Sequence, residues 1–230
     1  MIDQSNRPKV SVILPCHNEE EALGSCLSNI TKILKENKIF GEIIVSDSSQ
    51  DTSPQIAEQF GVILIRHNKI GYGNACMEGF KVAKGEYIFL ADPDGTYDFF
   101  ELPKFIKYLD LGYDFVIGNR FIGSIEKGAM PFLHRYFGSP FLSYLLKIRF
   151  STEANDINCG MRAITYQKFK QLNLKTTGME FASEMIINAS KNNFKVKEVP
   201  INYHHRKGQS KLRTFRDGFR HLRIIFSLNK

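Results

Sequence analysis

The chain has 230 residues, 43% of them hydrophobic, with 31 lysines and arginines against 24 aspartates and glutamates, a formal charge of +7. That length suits one domain, and the composition excludes intrinsic disorder, collagen and coiled coil. No run reaches the roughly 18 consecutive apolar residues of a spanning helix, and residues 1–9 lack an apolar signal core, so neither a membrane span nor a secretory signal is expected.

Taken in chain order, Val10–Leu14 reads as a buried strand closed by Pro15. Asn18 is the expected cap of the next helix, whose acidic start, Glu19–Glu21, suits the positive end of a helix dipole. Ile43–Val45 is a second strand, Ser53-Pro54 opens a short helix, and Val62–Ile65 is a third strand. Ala75–Ala83 continues as a helix up to Gly85, and Tyr87–Ala91 is a fourth strand. Nearly all-apolar strands alternating with helices imply a mostly parallel sheet covered on both faces. After Asp110 the pattern loosens. Phe115–Ile117 is a strand candidate followed by a glycine-rich segment, Gly118–Gly128; Phe181–Ser190 reads as a helix and Val196–Ile201 as a strand.

The charge is unevenly placed. Residues 203–230 carry eight basic residues and one acid, Asp217, while the other 202 residues hold 23 of each sign. In this tail Phe215, Phe219, Leu222 and Phe226 share one helical face, and Arg216, Arg220 and Arg223 repeat at the same spacing one position along. Such a helix suits a membrane surface, with its arginines on headgroups; its aromatic face can equally pack on the body of the protein. Pro140–Phe150 carries the same two readings, a core helix or an interfacial one with Lys147 and Arg149 reaching headgroups. The four cysteines, Cys16, Cys26, Cys76 and Cys159, lack metal or redox spacing and are expected to be structural thiols.

The most informative chemistry lies in Ala91-Asp92-Pro93-Asp94-Gly95, directly after a strand. Residues i and i+2 of extended backbone project to one side, so Asp92 and Asp94 can converge on Mg²⁺ or Mn²⁺; a solvated turn is the other reading. Gly71-Tyr72-Gly73-Asn74-Ala75 fails as a dinucleotide fingerprint, because the preceding strand ends too early and the third glycine is missing. It remains a glycine-rich helix entry that a phosphate can approach. His17, His204 and His205 have no complementary zinc-ligand spacing.

In order along the chain stand Pro15-Cys16-His17-Asn18-Glu19, Val45-Ser46-Asp47-Ser48-Ser49, Gly71-x-Gly73-x-Ala75 and Asp92-x-Asp94. This series resembles the nucleotide-binding half of an inverting family 2 glycosyltransferase with the GT-A fold. Gly118-Asn119-Arg120-Phe121, Asp156–Arg162, Phe181-x-x-Glu184-Met185 and Arg206-Lys207-Gly208-x-Ser210-Lys211-Leu212 resemble its polyprenyl-phosphate (dolichol-phosphate) mannosyl- and glucosyltransferase branch. The resemblance implies one GT-A domain over residues 1–230, α/β with a mostly parallel sheet. Residues 9–100 would form the nucleotide-sugar half, 101–212 the acceptor half and 213–230 a basic amphipathic tail facing a membrane. It further implies that Pro15, Asn18, Glu19, Asp47, Gly71, Gly73 and Asp92 hold the nucleotide sugar, a UDP- or GDP-hexose. Asp92 and Asp94 would bind Mg²⁺ or Mn²⁺ and act in catalysis with Arg120 and Arg206. Arg120, Arg135, Arg206, Ser210 and Lys211 would meet the acceptor phosphate, and Glu184 is either a site carboxylate or half of a structural pair. The expected reaction is inverting transfer of a hexose to a polyprenyl phosphate at the cytosolic face of an anionic membrane. A hydroxyl-bearing acceptor is the alternative, and a nucleic-acid-binding module a remote one. Where relatives read Val-Asp-Asp-Gly-Ser, this chain has Ser46 and Ser48, which alters the contacts expected for base and ribose.

Overall fold

The computed structural model describes residues 7–208, 210 and 214–228. Seven strands form one sheet: β1 (Val10–Cys16), β2 (Gly41–Asp47), β3 (Ile63–Arg66), β4 (Tyr87–Leu90), β5 (Phe115–Ile125), β6 (Arg162–Thr165) and β7 (Val196–Tyr203), in the order β3-β2-β1-β4-β6-β5-β7. Only β6 runs against its neighbours; the other pairings are parallel. Between the strands come α1 (Glu20–Glu36), α2 (Ser53–Gln59), α3 (Tyr72–Val82), α4 (Leu102–Asp110), α5 (Ser139–Phe150), α6 (Tyr166–Gln171), α7 (Phe181–Lys191) and α8 (Thr214–Ser227).

The central strands are apolar on both faces because helices cover both. Val12, Ile13, Leu14 and all four residues of β4 are buried, and α1 lays Leu23, Leu27, Ile30 and Leu34 against the sheet. From β1 the chain winds outward through β2 and β3, then returns to place β4 on the other side of β1. The order therefore reverses between β1 and β4, and at such a switch point a crevice opens beyond the carboxyl ends of the strands. Glu19 follows β1 and Asp92 follows β4, so both arrive at that crevice.

Two local expectations change. Asn18 does not cap α1: it takes a positive φ of 55°, and its Oδ1 accepts the Gln50 amide at 2.8 Å. The start of α1 is held by the connection between β2 and α2, where Ser53 Oγ accepts the Glu19 amide and Asp51 Oδ2 accepts that of Glu20. The glycine-rich segment continues β5, with a register shift against β7 between Asn119 and Ser124. Asn119 Oδ1 accepts the Phe121 and Ile122 amides there, at 2.9 and 3.1 Å, replacing ladder partners lost at the irregularity.

The tail helix presents its faces differently from the sequence expectation. Asp217, His221 and Ile225 are buried, whereas Phe219 and Phe226 are 70% and 60% exposed. The inward stripe thus lies at i, i+4 and i+8, with polar Asp217 and His221 beside apolar Ile225, because α7 offers α8 polar partners: Ser183 Oγ to His221 Nδ1 at 2.7 Å and Glu180 to Arg220 at 3.3 Å. On α5 the helix divides: Leu142, Leu146 and Phe150 are buried, as in a core helix, while Phe141, Tyr144 and Ile148 are exposed.

Candidate active site

A cavity of about 640 Å³ opens at the switch point. Pro15, His17 and Glu19 line it from the end of β1, Ser48 from β2, Gly71 and Tyr72 from α3, and Asp92 from β4. Thr177 and Gly178, Arg206 and Ser210, and Arg216 and Arg220 of α8 complete the wall.

The charged centre joins residues far apart in sequence. Arg206 donates from Nη2 to Glu19 Oε1 at 2.9 Å, and its Nη1 lies 3.2 Å from Asp94 Oδ2. Asp94 Oδ1 accepts the Thr96 amide and hydroxyl at 2.9 and 2.5 Å, so its orientation is fixed from both sides. Asp92 differs: no hydrogen bond reaches its carboxylate among the described residues, and burial, then the neighbouring Asp94 charge, push its pKa up to about 7. A close pair of carboxylates, one of them unpaired, is the donor set a divalent cation would satisfy. Among the described residues no group of three or more His, Cys, Asp or Glu side chains could hold a metal. Asp92 and Asp94 would supply two oxygen ligands, leaving other positions to substrate oxygens and water, as suits Mg²⁺ or Mn²⁺.

The floor beneath Asp92 is built by the segment before β6. A Cβ at residue 160 would fall 2.5 Å from Asp92 Oδ2, so only glycine fits, and the Gly160 amide donates to Tyr97 Oη at 2.6 Å. Arg162 locks this segment. Fully buried, it donates to the carbonyls of Ile157, Cys159 and Ala182 at 2.5 to 2.7 Å, and its charge favours an ionised Asp92. Arg162 has no role among the expected site residues, although an arginine directly before the apolar pair Ala163-Ile164 is a visible signal.

Other expected site residues have different neighbours. Asp47 is fully buried, its carboxylate taken by the Ser49 amide and hydroxyl and by Arg66 Nε at 3.3 Å. Arg120 makes a two-pronged ion pair with Asp156, both contacts 2.7 Å, and does not line the cavity. Arg135 stands on the π-helical turn His134–Gly138 with its guanidinium 5.5 Å from the Tyr136 ring centre, also away from the cavity lining. Ser210 lines the cavity; Lys211 lies outside the described residues.

Gly71, which lines the cavity, and Gly73 both pass close to the 176–177 backbone. Gly71 has a φ of 120°, and a Cβ there would meet the Thr177 carbonyl at 2.2 Å; at Gly73 it would meet that of Thr176 at 2.4 Å. Glu184 holds this loop in turn. Its buried carboxylate accepts the Lys175 and Thr176 amides and the Thr176 hydroxyl at 2.6 to 3.0 Å. Of the two readings given for Glu184, the geometry is that of a structural clamp, although its partner is backbone and not a basic side chain. Glu184→Ala is expected to cost about 3 kcal/mol, because four contacts to a charged acceptor are lost and two amides are left without it. Thermal denaturation checks the loss, and Glu184→Gln should recover part of it.

His221 adds a pH dependence to the α8 wall. Burial lowers its pKa to about 4, so the docked ring is neutral. A histidine depressed in the folded state contributes stability above its unfolded value of about 6.5, and that contribution is lost as pH falls toward 4. Hydrogen-exchange protection of α8 should therefore fall between pH 6.5 and 4.5 while that of β1 persists, and His221→Gln should flatten the difference.

A family-wide sequence profile, Glycosyl transferase family 2, matches residues 11–173. The low-salt glycan biosynthesis hexosyltransferase Agl6 of Haloferax volcanii is 39% identical over 97% of the chain, which spans 54% of that relative's length. A dolichyl-phosphate hexose transferase of the same organism is 32% identical, with 91% of this chain and 89% of that protein covered. Among solved structures, glucosyl-3-phosphoglycerate synthase from Mycobacterium tuberculosis, in complex with Mn²⁺, UDP and glucosyl-3-phosphoglycerate, superposes with a TM-score of 0.74 at 17% identity, covering 99% of this chain and 82% of that one. Mannosyl-3-phosphoglycerate synthase from Rubrobacter xylanophilus gives a TM-score of 0.67 at 16% identity, covering 96% and 72%.

Proposed function

Because the chain belongs to glycosyltransferase family 2 and has the GT-A fold, we propose that it moves a hexose from a nucleoside-diphosphate sugar to a polyprenyl phosphate. The observation that carries this reading is the Asp92–Asp94 pair at the β1/β4 switch point, with Asp92 unpaired and Arg206 bridging Asp94 to Glu19.

Asp92 and Asp94 would hold Mg²⁺ or Mn²⁺, which when bound neutralises charge developing on a diphosphate leaving group. Arg206 orients Asp94 and brings a second cation to the same wall. Tyr97 and Gly160 fix the floor, and the Glu184-held loop fixes the side next to Gly71. A phosphate acceptor is already largely dianionic near neutral pH, its second pKa being about 6, and needs no strong general base. That favours it over a hydroxyl acceptor, because Glu184, the carboxylate outside the Asp92–Asp94 pair considered as a base, is occupied by the 175–176 backbone.

A lipid-linked acceptor also suits the surface. Phe132, Leu133, Tyr136 and Phe137 are at least half exposed, as are Phe141, Tyr144 and Ile148 on α5 and Phe219 and Phe226 on α8. Arg149 joins the two helices, its guanidinium 5.5 Å from the Phe226 ring centre. An apolar surface of this extent with flanking arginines supports peripheral attachment to an anionic membrane. No helix among the described residues is long and apolar enough to cross one.

The test supplies purified protein with radiolabelled UDP- and GDP-hexoses, Mn²⁺ or Mg²⁺, and one of three acceptors: polyprenyl phosphate, the unphosphorylated polyprenol or a soluble glycan. Label is expected in the organic phase with the phosphate alone. Equal transfer to the alcohol, or preferred transfer to a soluble glycan, would overturn the acceptor assignment.

A further inference from the structure

Two arginines of the tail helix face the cavity. Arg216 and Arg220, one helical turn apart on α8, both line it. The sequence reading assigns this stripe to lipid headgroups, yet these two arginines border the same space as Asp92 and Arg206.

Their settings differ from that of Arg206, which is spanned between Glu19 and Asp94. Arg216 has no hydrogen bond or ion pair among the described residues and is exposed to the cavity mouth. It lies in the first turn of a 14-residue helix, where unpaired amides and the dipole add positive potential. Arg220 is held at the wall: its Nε lies 3.3 Å from Glu180 Oε2, and its Nη1 occupies the place a side chain at Gly178 would need, 2.5 Å from the Cβ position. Asp217, between them in sequence and buried, also lines the cavity. Between them in sequence, too, Phe219 projects outward and is 70% exposed.

We propose that Arg216 and Arg220 bind the phosphate of the acceptor, an inference that rests on the acceptor reading above. Arginine forks match phosphate oxygens in a bidentate way. The donor diphosphate falls to the Asp92–Asp94 side, where a divalent ion would sit. A phosphate site whose own helix turns an exposed phenylalanine outward fits an amphiphile, with its head at the arginines and its hydrocarbon along the outer face of α8.

The experiment uses the full chain with Arg216→Gln, Arg220→Gln and the double variant. Two quantities are read: KM for polyprenyl phosphate in detergent, and the Kd of a nucleoside diphosphate with Mn²⁺ by calorimetry. Each single change should raise the acceptor KM about ten-fold, as loss of a charge-assisted contact does, while leaving kcat and the nucleotide Kd nearly unchanged. Arg216→Lys should restore part of the loss. An unchanged acceptor KM in Arg216→Gln, an exposed position whose replacement leaves the fold intact, overturns the assignment. A nucleotide Kd weakened as much as the acceptor KM also overturns it, placing the pair on the donor. If the wild type turns over polyprenyl phosphate and the variants match it, this inference alone fails. If the wild type uses no phosphate acceptor, the function reading fails and takes the inference with it.

Discussion

Asp92→Asn is expected to yield a protein that is more stable than the wild type and almost inactive. The carboxylate has no hydrogen-bond partner among the described residues and is pushed up to about 7 by burial and by Asp94. For an acid raised in the folded state, the protonated form is favoured on folding, so its contribution is present at low pH and lost as pH rises through about 7. At pH 8 the charge therefore opposes folding, and the isosteric amide removes that opposition. Allowing for the part of Asp92 that faces the open cavity, the gain is on the order of 1–2 kcal/mol, a few degrees in melting temperature for a domain of this size. Turnover should move the other way, falling about 10³-fold, because an amide is a poor ligand for a hard divalent ion and one of two protein ligands is gone. Stability that rises as activity disappears separates a strained binding group from a structural one. A turnover within ten-fold of wild type would remove Asp92 from the chemistry.

Arg206→Met should lower stability and turnover together. Its guanidinium is the contact shared by Glu19, 6% exposed, and Asp94, 3% exposed, and removing it leaves two nearly buried acids beside Asp92. Breaking a buried pair typically costs about 3–5 kcal/mol, and the partial exposure of Arg206 brings the expected value to about 2–3. Mn²⁺ should return part of this loss in thermal melts, since a bound cation relieves the same repulsion; in Asp92→Asn it should return almost none. Arg206→Lys is expected to rescue poorly, because one ammonium cannot span contacts of 2.9 and 3.2 Å to different carboxylates in the way a fork does. Turnover in Arg206→Met should fall at least about 10²-fold.

Much of the nucleotide-binding half is legible because its signals are local. The β1, β2 and β4 runs are apolar enough to be buried on both faces, and Asp92-x-Asp94 falls at a strand end whatever the details of packing. Elements in the second half depend on partners. β6 is a four-residue strand, RAIT, that exists because β4 and β5 flank it, and the glycines of β5 belong to a strand because β7 supplies the register. The stripe Leu102, Phe105, Ile106 and Leu109 has ordinary helical spacing, a local signal sufficient for α4.

Residue roles divide in the same way. A charge can be seen in sequence, but its partner cannot. Arg120 looks available until Asp156 is found beside it, 36 positions on, and Glu184 looks like a base until its carboxylate is seen on the 175–176 backbone. Helical periodicity found the amphipathic stripes of α8 but left the aromatic face two settings, a membrane surface or the protein body, and placed on headgroups two arginines, Arg216 and Arg220, that line the cavity. Hydrophobicity says that Phe219 and Phe226 should be covered, and nothing in the tail itself reveals that α7 presents Ser183 and Glu180 to meet His221 and Arg220. The +7 charge is thus divided: Arg206, Arg216 and Arg220 line the cavity, and Arg223 is exposed.

The central claim is that the cavity beyond β1 and β4 takes a nucleoside diphosphate through a divalent ion held by Asp92 and Asp94. Calorimetric titration of UDP and GDP into the wild type and Asp92→Asn, each with and without Mn²⁺, tests it most directly. One nucleotide should bind the wild type at least about ten-fold more tightly with Mn²⁺ than without, and Asp92→Asn should abolish that difference. Binding that ignores the ion, or that keeps its full Mn²⁺ dependence in Asp92→Asn, would contradict the claim.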